Sequence, residues 1–440
     1  MTERIQVAVE LNGTTVRAGT IHVETARTLS STFTYDPTYL ARRDSYPIDP
    51  QLRLQTGPHH VRGLPGTFSD AAPDRWGRNL IRRRATKQGN REPSELDFLL
   101  GVSDDTRQGS LRFSHDTDGP YLADHVDTPK LIQMPRLMRA ADRVARSAET
   151  DEDIRTLLEA GTASLGGARP KASVSDGDHL YIAKFPHYQD RWDVMAWEST
   201  ALDLAEQAGL NTAKHQMLQF EEGAVLLLER FDRDGRSRIG YMSAMALLDA
   251  RDGQTMDYLD IADEMAILSA RPKNDLRELW TRMALNVAIN NTDDHLRNHG
   301  FLRTTSGWRL APAFDLNPNP DAGVRQTSIA GEVEKAGCVE AVLESASIFG
   351  LSPEDAANIT SRIGAALSSW RQIAARNGVR KSKLDEFEPA IRPDAFTHSK
   401  PKMPSAGGQP KPRSSSRAKT TPASNSGSFA PPQDPGNSVR

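Results

Sequence analysis

One stretch in the second half of the chain places three polar side chains in a fixed order. In NNTDDHLRNHGFL, Asp293 lies five residues before Asn298, and in WRLAPAFDLNP an apparent strand ends on Asp315. The residues 300–303 and 308–310 flank Thr-Thr-Ser-Gly, which predicts a hairpin between the two sets. A helix is expected over 279–289, directly before this stretch. The pattern therefore predicts a loop and a strand end that bring two carboxylates and an amide together.

This order and spacing are typical of a protein-kinase active site. In such a site the first Asp accepts the proton of the substrate hydroxyl, and the later Asn and Asp hold metal ions at the phosphates. Mg²⁺ favours this set because it prefers octahedral oxygen coordination. Each residue alone could serve a turn, since Asn-Thr-Asp-Asp is a good turn sequence. A turn does not explain why the hairpin ends on Asp315, another Asp that looks buried.

A second constellation, SLGGARPKASV at 164–174, precedes an expected hairpin whose second strand carries Lys184. Gly166 and Gly167 would let the backbone approach a ligand closely, and free N–H groups there could cradle phosphates. A kinase uses a lysine like Lys184 to hold the α- and β-phosphates. Alone, the glycines would indicate a turn and Lys184 an exposed lysine at a strand end. The downstream Asp/Asn/Asp set favours the functional interpretation.

The segment between the two constellations is expected to complete a nucleotide-binding lobe. A helix over 194–208 ends at Gly209, and Glu198 in its first turns could pair with the lysine. An acid favoured by the helix dipole is an equally good interpretation of Glu198. The apolar run AVLLL from 224 predicts a strand buried on both faces. At 229–232 the chain is expected to loosen into a hinge that exposes backbone groups to an adenine ring.

Composition restricts the class of protein. The chain has 440 residues, a net charge of −3 and one cysteine, Cys338. This charge does not indicate nucleic-acid binding, and one cysteine excludes an internal disulfide framework. We expect a soluble cytoplasmic protein with no membrane contact, because we find neither a signal-peptide-like N-terminus nor a run of 18 apolar residues.

Changes in composition and residue pattern along the chain predict four regions. Residues 1–120 form a β-rich domain that opens with a hairpin around Asn12-Gly13 and includes a helix over 74–81 and a strand over 109–113. Residues 121–240 form the nucleotide-binding region, and 241–395 form a helical catalytic lobe. The tail at 396–440 is rich in Pro, Ser and Lys and almost without apolar residues, so it is expected to be disordered.

Five ordered motifs resemble those of the HipA-type serine/threonine kinases, the toxins of bacterial toxin–antitoxin pairs. The motifs are SLGGARPK from 164, YIAKF from 181, ERFDR from 229, NTDDHLRN from 291 and LAPAFD from 310. The resemblance covers about 1–390, including FTY at 33–35 and QGSLRF at 108–113. It implies an α+β, two-lobed, protein-kinase-like fold with a β-rich N-terminal domain and a mainly helical C-terminal lobe.

The resemblance also implies roles for individual residues. Asp293 would be the catalytic base, Asn298 and Asp315 the Mg²⁺ ligands, and Ser164 a site of inactivating autophosphorylation. Glu229 and Phe231 would meet the adenine. The residues implied to bind ATP are Gly166, Gly167, Ala168, Arg169, Lys171, Lys184, Glu229, Phe231, His295, Asn298, Phe314 and Asp315.

The partners implied by the resemblance are a small helix-turn-helix antitoxin, DNA only through that antitoxin, and a protein substrate such as an aminoacyl-tRNA synthetase. Two alternatives remain. A small-molecule phosphotransferase of the aminoglycoside-kinase type shares the Asp…Asn…Asp loop, and a non-catalytic co-repressor could keep the fold.

Three departures from the family pattern bear on the expected activity level and partner surface more than on the expected fold. Arg169-Pro170 stands where many members have Gln-Glu, and the proline removes an N–H donor from the phosphate loop. Asp294 occupies a position that is often basic, which is expected to weaken the pull on a γ-phosphate. The segment 69–77 differs from the usual Leu-Leu-Pro-Glu-Gly pattern.

Overall fold

The N-terminal part of the chain is built on one antiparallel sheet. The computed structural model describes residues 2–25, 29–117, 119–122, 128–161, 169–251 and 253–397. Asn12 and Gly13 have φ of 51° and 77°, as a tight hairpin turn requires, and this confirms the predicted hairpin. The sheet has the order β4-β3-β2-β1-β5, and its strands are β1 (Thr2–Leu11), β2 (Thr14–Glu24), β3 (Ser30–Tyr35), β4 (Pro58–Arg62) and β5 (Leu111–Ser114).

Four helices lie between β3 and β5 in the chain, and one of them is longer than the sequence indicated. The helices are α1 (Pro37–Leu40), α2 (Gly66–Asp70), α3 (Arg75–Lys87) and α4 (Glu95–Leu100). Asp74 caps α3 by accepting from the N–H of Gly77 at 2.9 Å. The helix continues beyond the predicted end at 81 to Lys87, with three arginines and a lysine on its later turns.

A second antiparallel sheet carries the predicted nucleotide-binding segments. Its order is β6-β7-β9-β8, and its strands are β6 (Lys171–Asp176), β7 (His179–Lys184), β8 (His215–Phe220) and β9 (Gly223–Glu229). The helices around it are α5 (Met134–Ala145), α6 (Asp151–Glu159) and α7 (Val194–Gln207). Val225 and Leu227 pack with the α5 side, whereas Leu226 and Leu228 share a core with α7. The run from 224 is therefore a strand covered on both faces, as predicted.

The segment after β9 is held tightly, so the prediction that the chain loosens there is wrong. Arg230 and Asp232 are buried, and Arg230 Nε donates to Asp232 Oδ1 at 2.8 Å. Arg230 Nη1 also donates to the carbonyl of Thr106 at 2.5 Å, and the Gly109 N–H donates to Asp232 Oδ2 at 2.8 Å. Buried charges and main-chain groups of the loop before β5 thus fix this segment.

The remainder of the described chain is mostly helical. Its helices are α8 (Ala244–Leu247), α9 (Tyr258–Leu268), α10 (Pro272–Ala288), α11 (Lys335–Ser345), α12 (Pro353–Leu367), α13 (Trp370–Arg376) and α14 (Lys381–Leu384). The buried helix α10 leads into the loop with Asp293. It begins at Pro272, seven residues before the predicted start, because proline suits the first helical position.

Short strands lie before and between these helices. They are β10 (Arg233–Asp234), β11 (Ser237–Arg238), β12 (Tyr241–Ser243), β13 (Met256–Asp257), β14 (Gly300–Thr304), β15 (Gly307–Leu310) and β16 (Thr327–Ser328). β14 and β15 form the predicted hairpin and pair with β12 in the order β12-β14-β15. β13 and β16 pair in parallel. Among the described residues, no helix has both the length and the apolar character needed to cross a membrane.

Candidate active site

The centre of the candidate site is the ammonium group of Lys184 at the end of β7. Its Nζ lies 2.7 Å from Glu198 Oε1 and 2.6 Å from Asp315 Oδ1. Lys184 comes from the sheet, Glu198 from α7, and Asp315 from the chain beyond the β14–β15 hairpin. All three side chains are buried. The Lys184–Glu198 ion pair, one of two interpretations of the sequence, is therefore present.

Each of these three charged groups shifts the pKa of its neighbours. Burial would raise the pKa of Asp315, but the neighbouring ammonium of Lys184 outweighs it and lowers this pKa to about 2. Burial would lower the pKa of Lys184, but Asp315 and Glu198 raise it above its usual range. Burial raises the pKa of Glu198, and Lys184 offsets this only in part. We therefore describe Lys184 as charged and Asp315 as ionised at neutral pH.

The backbone at Asp315 is unusual for a residue with a side chain. Its φ is 57°, in the left-handed region, where non-glycine residues are uncommon and often mark functional sites. The side-chain amide of Asn317 donates to the Asp315 carbonyl at 3.2 Å and to Oδ1 at 3.3 Å. Phe314 packs on Phe231, with ring centroids 5.4 Å apart. This conformation turns the Asp315 carboxylate towards Lys184.

Asp293 lies on the loop that follows α10, and a side chain five residues later holds its backbone. The Nδ2 of Asn298 donates to the Asp293 carbonyl at 3.2 Å. Asp293 is exposed in part, but desolvation of the rest of its side chain raises its pKa; His295 and Arg169 oppose this rise, and Asp315 adds to it. A raised pKa makes a carboxylate a stronger base, which suits proton acceptance.

Asp294, the next residue, contacts Tyr258 and His299. It is buried, accepts a hydrogen bond from the hydroxyl of Tyr258, and lies 3.1 Å from Nε2 of His299. Asn286 Nδ2 donates to the same hydroxyl at 3.2 Å. The Asp294 carboxylate is thus held by side chains of other elements. The expected weakening of a γ-phosphate contact stays a prediction.

The oxygens near this centre fit Mg²⁺. Oδ1 of Asn298 is buried and has no hydrogen-bond partner among the described residues. Asp315 supplies an ionised carboxylate, and Mg²⁺ is usually bound by one or two such groups together with substrate phosphates. In the described ranges no cluster of three or more His, Cys, Asp or Glu could hold a metal by itself. An ion here would therefore depend on phosphate oxygens as well.

The described end of the expected phosphate loop contacts other parts of the chain. Nζ of Lys171 lies 2.5 Å from Asp74 Oδ2, and both side chains are buried. Arg169 is ion-paired with Asp190. The predicted residues Ser164, Gly166, Gly167 and Ala168 lie outside the described residues.

The other residues predicted to bind ATP lie in different parts of the structure. The Glu229 carboxylate lies 3.4 Å from Lys214 and 3.5 Å from His179, so its side chain lies beside the starts of β7 and β8. Phe231 packs on Phe314 and therefore lies next to the centre. Nδ1 of His295 is buried without a hydrogen-bond partner in the described part of the chain.

Three contacts of this site were not predicted from the sequence. Asp74 holds Lys171, Tyr258 holds Asp294, and the amide of Gln326 donates to Asp293 Oδ1 at 2.6 Å. No motif spacing indicates them, because each pair joins segments more than 30 residues apart. The segment 69–77, which departs from the family pattern, also makes a contact within the protein. Its Asp70 accepts a hydrogen bond from the Ser243 N–H at 2.7 Å.

The fold is α+β and kinase-like, with a β-rich lobe and a helical lobe that meet at Lys184 and Asp315. Residues 7–114 match the HipA N-terminal domain, and residues 163–370 match the HipA-like C-terminal domain. The chain belongs to the HipA family.

A solved structure of a HipA protein agrees with this fold. HipA of Shewanella oneidensis MR-1, in a toxin–antitoxin complex with HipB and operator DNA, is similar with a TM-score of 0.60 and 16% identity, over 87% of this chain and 94% of that chain. The Helicobacter pylori proinflammatory kinase CtkA has a TM-score of 0.40 and 16% identity, over 53% of this chain and 92% of that chain. No curated protein sequence matches the chain.

Proposed function

We propose that the protein is an ATP-dependent serine/threonine protein kinase and the toxin of a type II toxin–antitoxin pair in the cytoplasm. The observation that carries this proposal is the Lys184 ammonium held between Glu198 and Asp315 at 2.7 and 2.6 Å. Kinases need a lysine oriented by a glutamate, with an Asp beside it at the phosphates. The family membership supports the same function.

In the proposed reaction, Asp293 accepts the proton of a Ser or Thr hydroxyl while that oxygen bonds to the γ-phosphorus of ATP. The bond between the γ-phosphorus and the β,γ-bridging oxygen breaks, and ADP leaves. Lys184 orients the α- and β-phosphates, and Phe231 lies where it could contact the adenine. When bound by Asn298 and Asp315, Mg²⁺ would neutralise charge on the phosphates.

The proposed partner is a small helix-turn-helix antitoxin, through which the protein would reach DNA. The family resemblance supports this, and the similar Shewanella HipA was solved with HipB and operator DNA. Between 399 and 440 there are seven Lys/Arg and one Asp, a charge of +6, which leaves −9 for the rest of the −3 chain. Direct contacts to DNA phosphates need clustered Lys and Arg, so the acidic balance favours indirect binding.

The acceptor class is tested by incubating the protein and γ-labelled ATP with a cell extract. A protein kinase, including one that acts on an aminoacyl-tRNA synthetase, transfers label to acid-precipitable protein on Ser or Thr. Label only in acid-soluble products would contradict the proposal and indicate a small-molecule phosphotransferase. Asp293→Asn protein is the control in both fractions.

Ser164 is proposed to be phosphorylated by the enzyme itself. It directly precedes Leu165-Gly166-Gly167, so a phosphate there would add about −1.5 to −2 charge beside the space for the ATP phosphates. We expect mass spectrometry after incubation with Mg-ATP to find phosphate on Ser164 in the wild type and none in Asp293→Asn. The phosphorylated form should bind ATP at least about ten times more weakly. An active enzyme with unmodified Ser164 would show that this serine only stabilises a turn.

A further inference from the structure

Two buried side chains anchor residues 325–327, at the start of β16, to α10 and to the catalytic loop, which is the loop after α10 that carries Asp293. Nη1 of Arg325 donates to the Asn291 carbonyl at 2.8 Å, and Nη2 donates to the Asn286 carbonyl at 2.9 Å. Oγ1 of Thr327 donates to the Asp294 carbonyl at 2.7 Å. Arg325 is 4% exposed and Thr327 1% exposed, so little water competes for these bonds. The backbone between the two anchors is therefore fixed relative to the catalytic loop.

Gln326 lies between these anchors, and its side chain reaches the reactive carboxylate. Nε2 of Gln326 donates to Asp293 Oδ1 at 2.6 Å. Unlike its neighbours Arg325 and Thr327, Gln326 is exposed. A neutral amide can orient a carboxylate without adding charge next to the phosphates.

We propose that Gln326 is a positioning residue for Asp293. Its amide holds Oδ1, so that Oδ2 faces the incoming hydroxyl and accepts its proton as the oxygen bonds to phosphorus. The inference rests on the proposed role of Asp293 as the base. Small displacements of a catalytic group slow reactions strongly, because the reacting atoms must be aligned.

Three variants separate this role from a structural one. Gln326→Leu removes the donor at similar volume, and Gln326→Glu replaces the donor with a second carboxylate. The matched control is Gln51→Leu, because Gln51 Nε2 is also exposed and donates to an Asp carboxylate, Asp249 Oδ1, at 2.5 Å. We expect Gln326→Leu to lower kcat about 10-fold with KM for ATP unchanged within about twofold. Gln51→Leu should match the wild type.

The pH profile gives a second, independent readout. A carboxylate at position 326 would disfavour the ionised form of Asp293, so the acidic limb of kcat should move up by about one pH unit or more in Gln326→Glu. High pH should then restore part of its activity, whereas Gln326→Leu should stay slow. The other charged groups that act on Asp293 are His295, Asp294, Asp315 and Arg169, and they are the same in every variant.

The outcomes separate this inference from the proposed function. Wild-type kcat and pH profile in Gln326→Leu would overturn the inference while leaving the kinase assignment intact. A higher kcat in Gln326→Leu would also overturn it, because the amide would then be blocking the acceptor. If the wild type transfers no phosphate, the proposed function fails and the positioning role fails with it. Carboxyl ¹³C titration of Asp293 would still show whether Gln326→Glu raises its pKa, as the contact requires.

Discussion

Asp315→Asn protein is expected to lose phosphoryl transfer by a factor on the order of 10³ or more, with its fold retained. The substitution removes the anionic oxygen that would hold Mg²⁺ at the phosphates, and electrostatic stabilisation of this kind is a large part of catalysis. The fold should survive because Lys184 keeps Glu198 Oε1 at 2.7 Å and the amide has the same shape as the carboxyl. Rates of γ-phosphate transfer and a melting curve measure both effects.

The matched control for this variant is Asp321→Asn, six residues later. The Asp321 carboxylate pairs with Arg191 at 2.5 Å on the surface and does not contact Lys184. Its transfer rate should stay within about twofold of the wild type, since exposed ion pairs contribute little. Near wild-type transfer by Asp315→Asn with an unchanged melting curve would refute the assignment of this residue.

Asp232→Asn is expected to destabilise the protein by roughly 3–5 kcal/mol, because it leaves two buried guanidinium groups without their carboxylate. Asp232 is fully buried, with Arg230 Nη2 at 2.6 Å and Arg233 Nη1 at 2.9 Å. Its side chain also joins the N-terminal domain to the segment that follows the second sheet, through the Gly109 N–H. Denaturant unfolding of the wild type and the variant measures the change.

The destabilisation by Asp232→Asn should depend on pH in a definite direction. Burial would raise the pKa of Asp232, but Arg230 and Arg233 outweigh it and hold this pKa well below its usual range. A carboxyl with a lowered folded-state pKa contributes stability above its unfolded pKa of about 3.9 and loses it as the pH falls further. The difference between wild type and variant should therefore shrink below about pH 4.

The control is the exposed pair of Asp178 and Arg236, 2.8 Å apart. Asp178→Asn should leave the unfolding curve unchanged, because both groups are solvated. An Asp232→Asn protein as stable as the wild type would contradict the view that this buried cluster holds the two parts together.

The sequence was sufficient to predict those elements that depend on residues close together in the chain. Asn12-Gly13 gives the first hairpin because both residues adopt positive φ, and Gly209, at φ 84°, follows the end of α7. The β14–β15 hairpin was predicted from the Thr-Thr-Ser-Gly turn between its two strands. Lys184, Glu198 and Asp315 were also found from the sequence, since a kinase-like pattern fixes their order along the chain.

Long-range contacts were missed because nothing local indicates them. The charged ERFDR segment was interpreted as an open hinge, yet Arg230 and Asp232 are buried against a loop more than 100 residues earlier. Lys171 and Asp74 are 97 residues apart, so no spacing rule joins them. The start of α10 was missed because 272–278 is largely polar and has no clear apolar periodicity.

The most direct test of the kinase assignment is ATP turnover by the purified wild type and by Asp293→Asn, measured with and without Mg²⁺. We expect Mg²⁺-dependent ADP formation and transfer of the γ-phosphate to protein by the wild type. We expect a loss of about 10²-fold or more in Asp293→Asn with an unchanged melting curve. Equal turnover by the two proteins, or none by a folded wild type with Mg-ATP and acceptor protein, would contradict the kinase assignment.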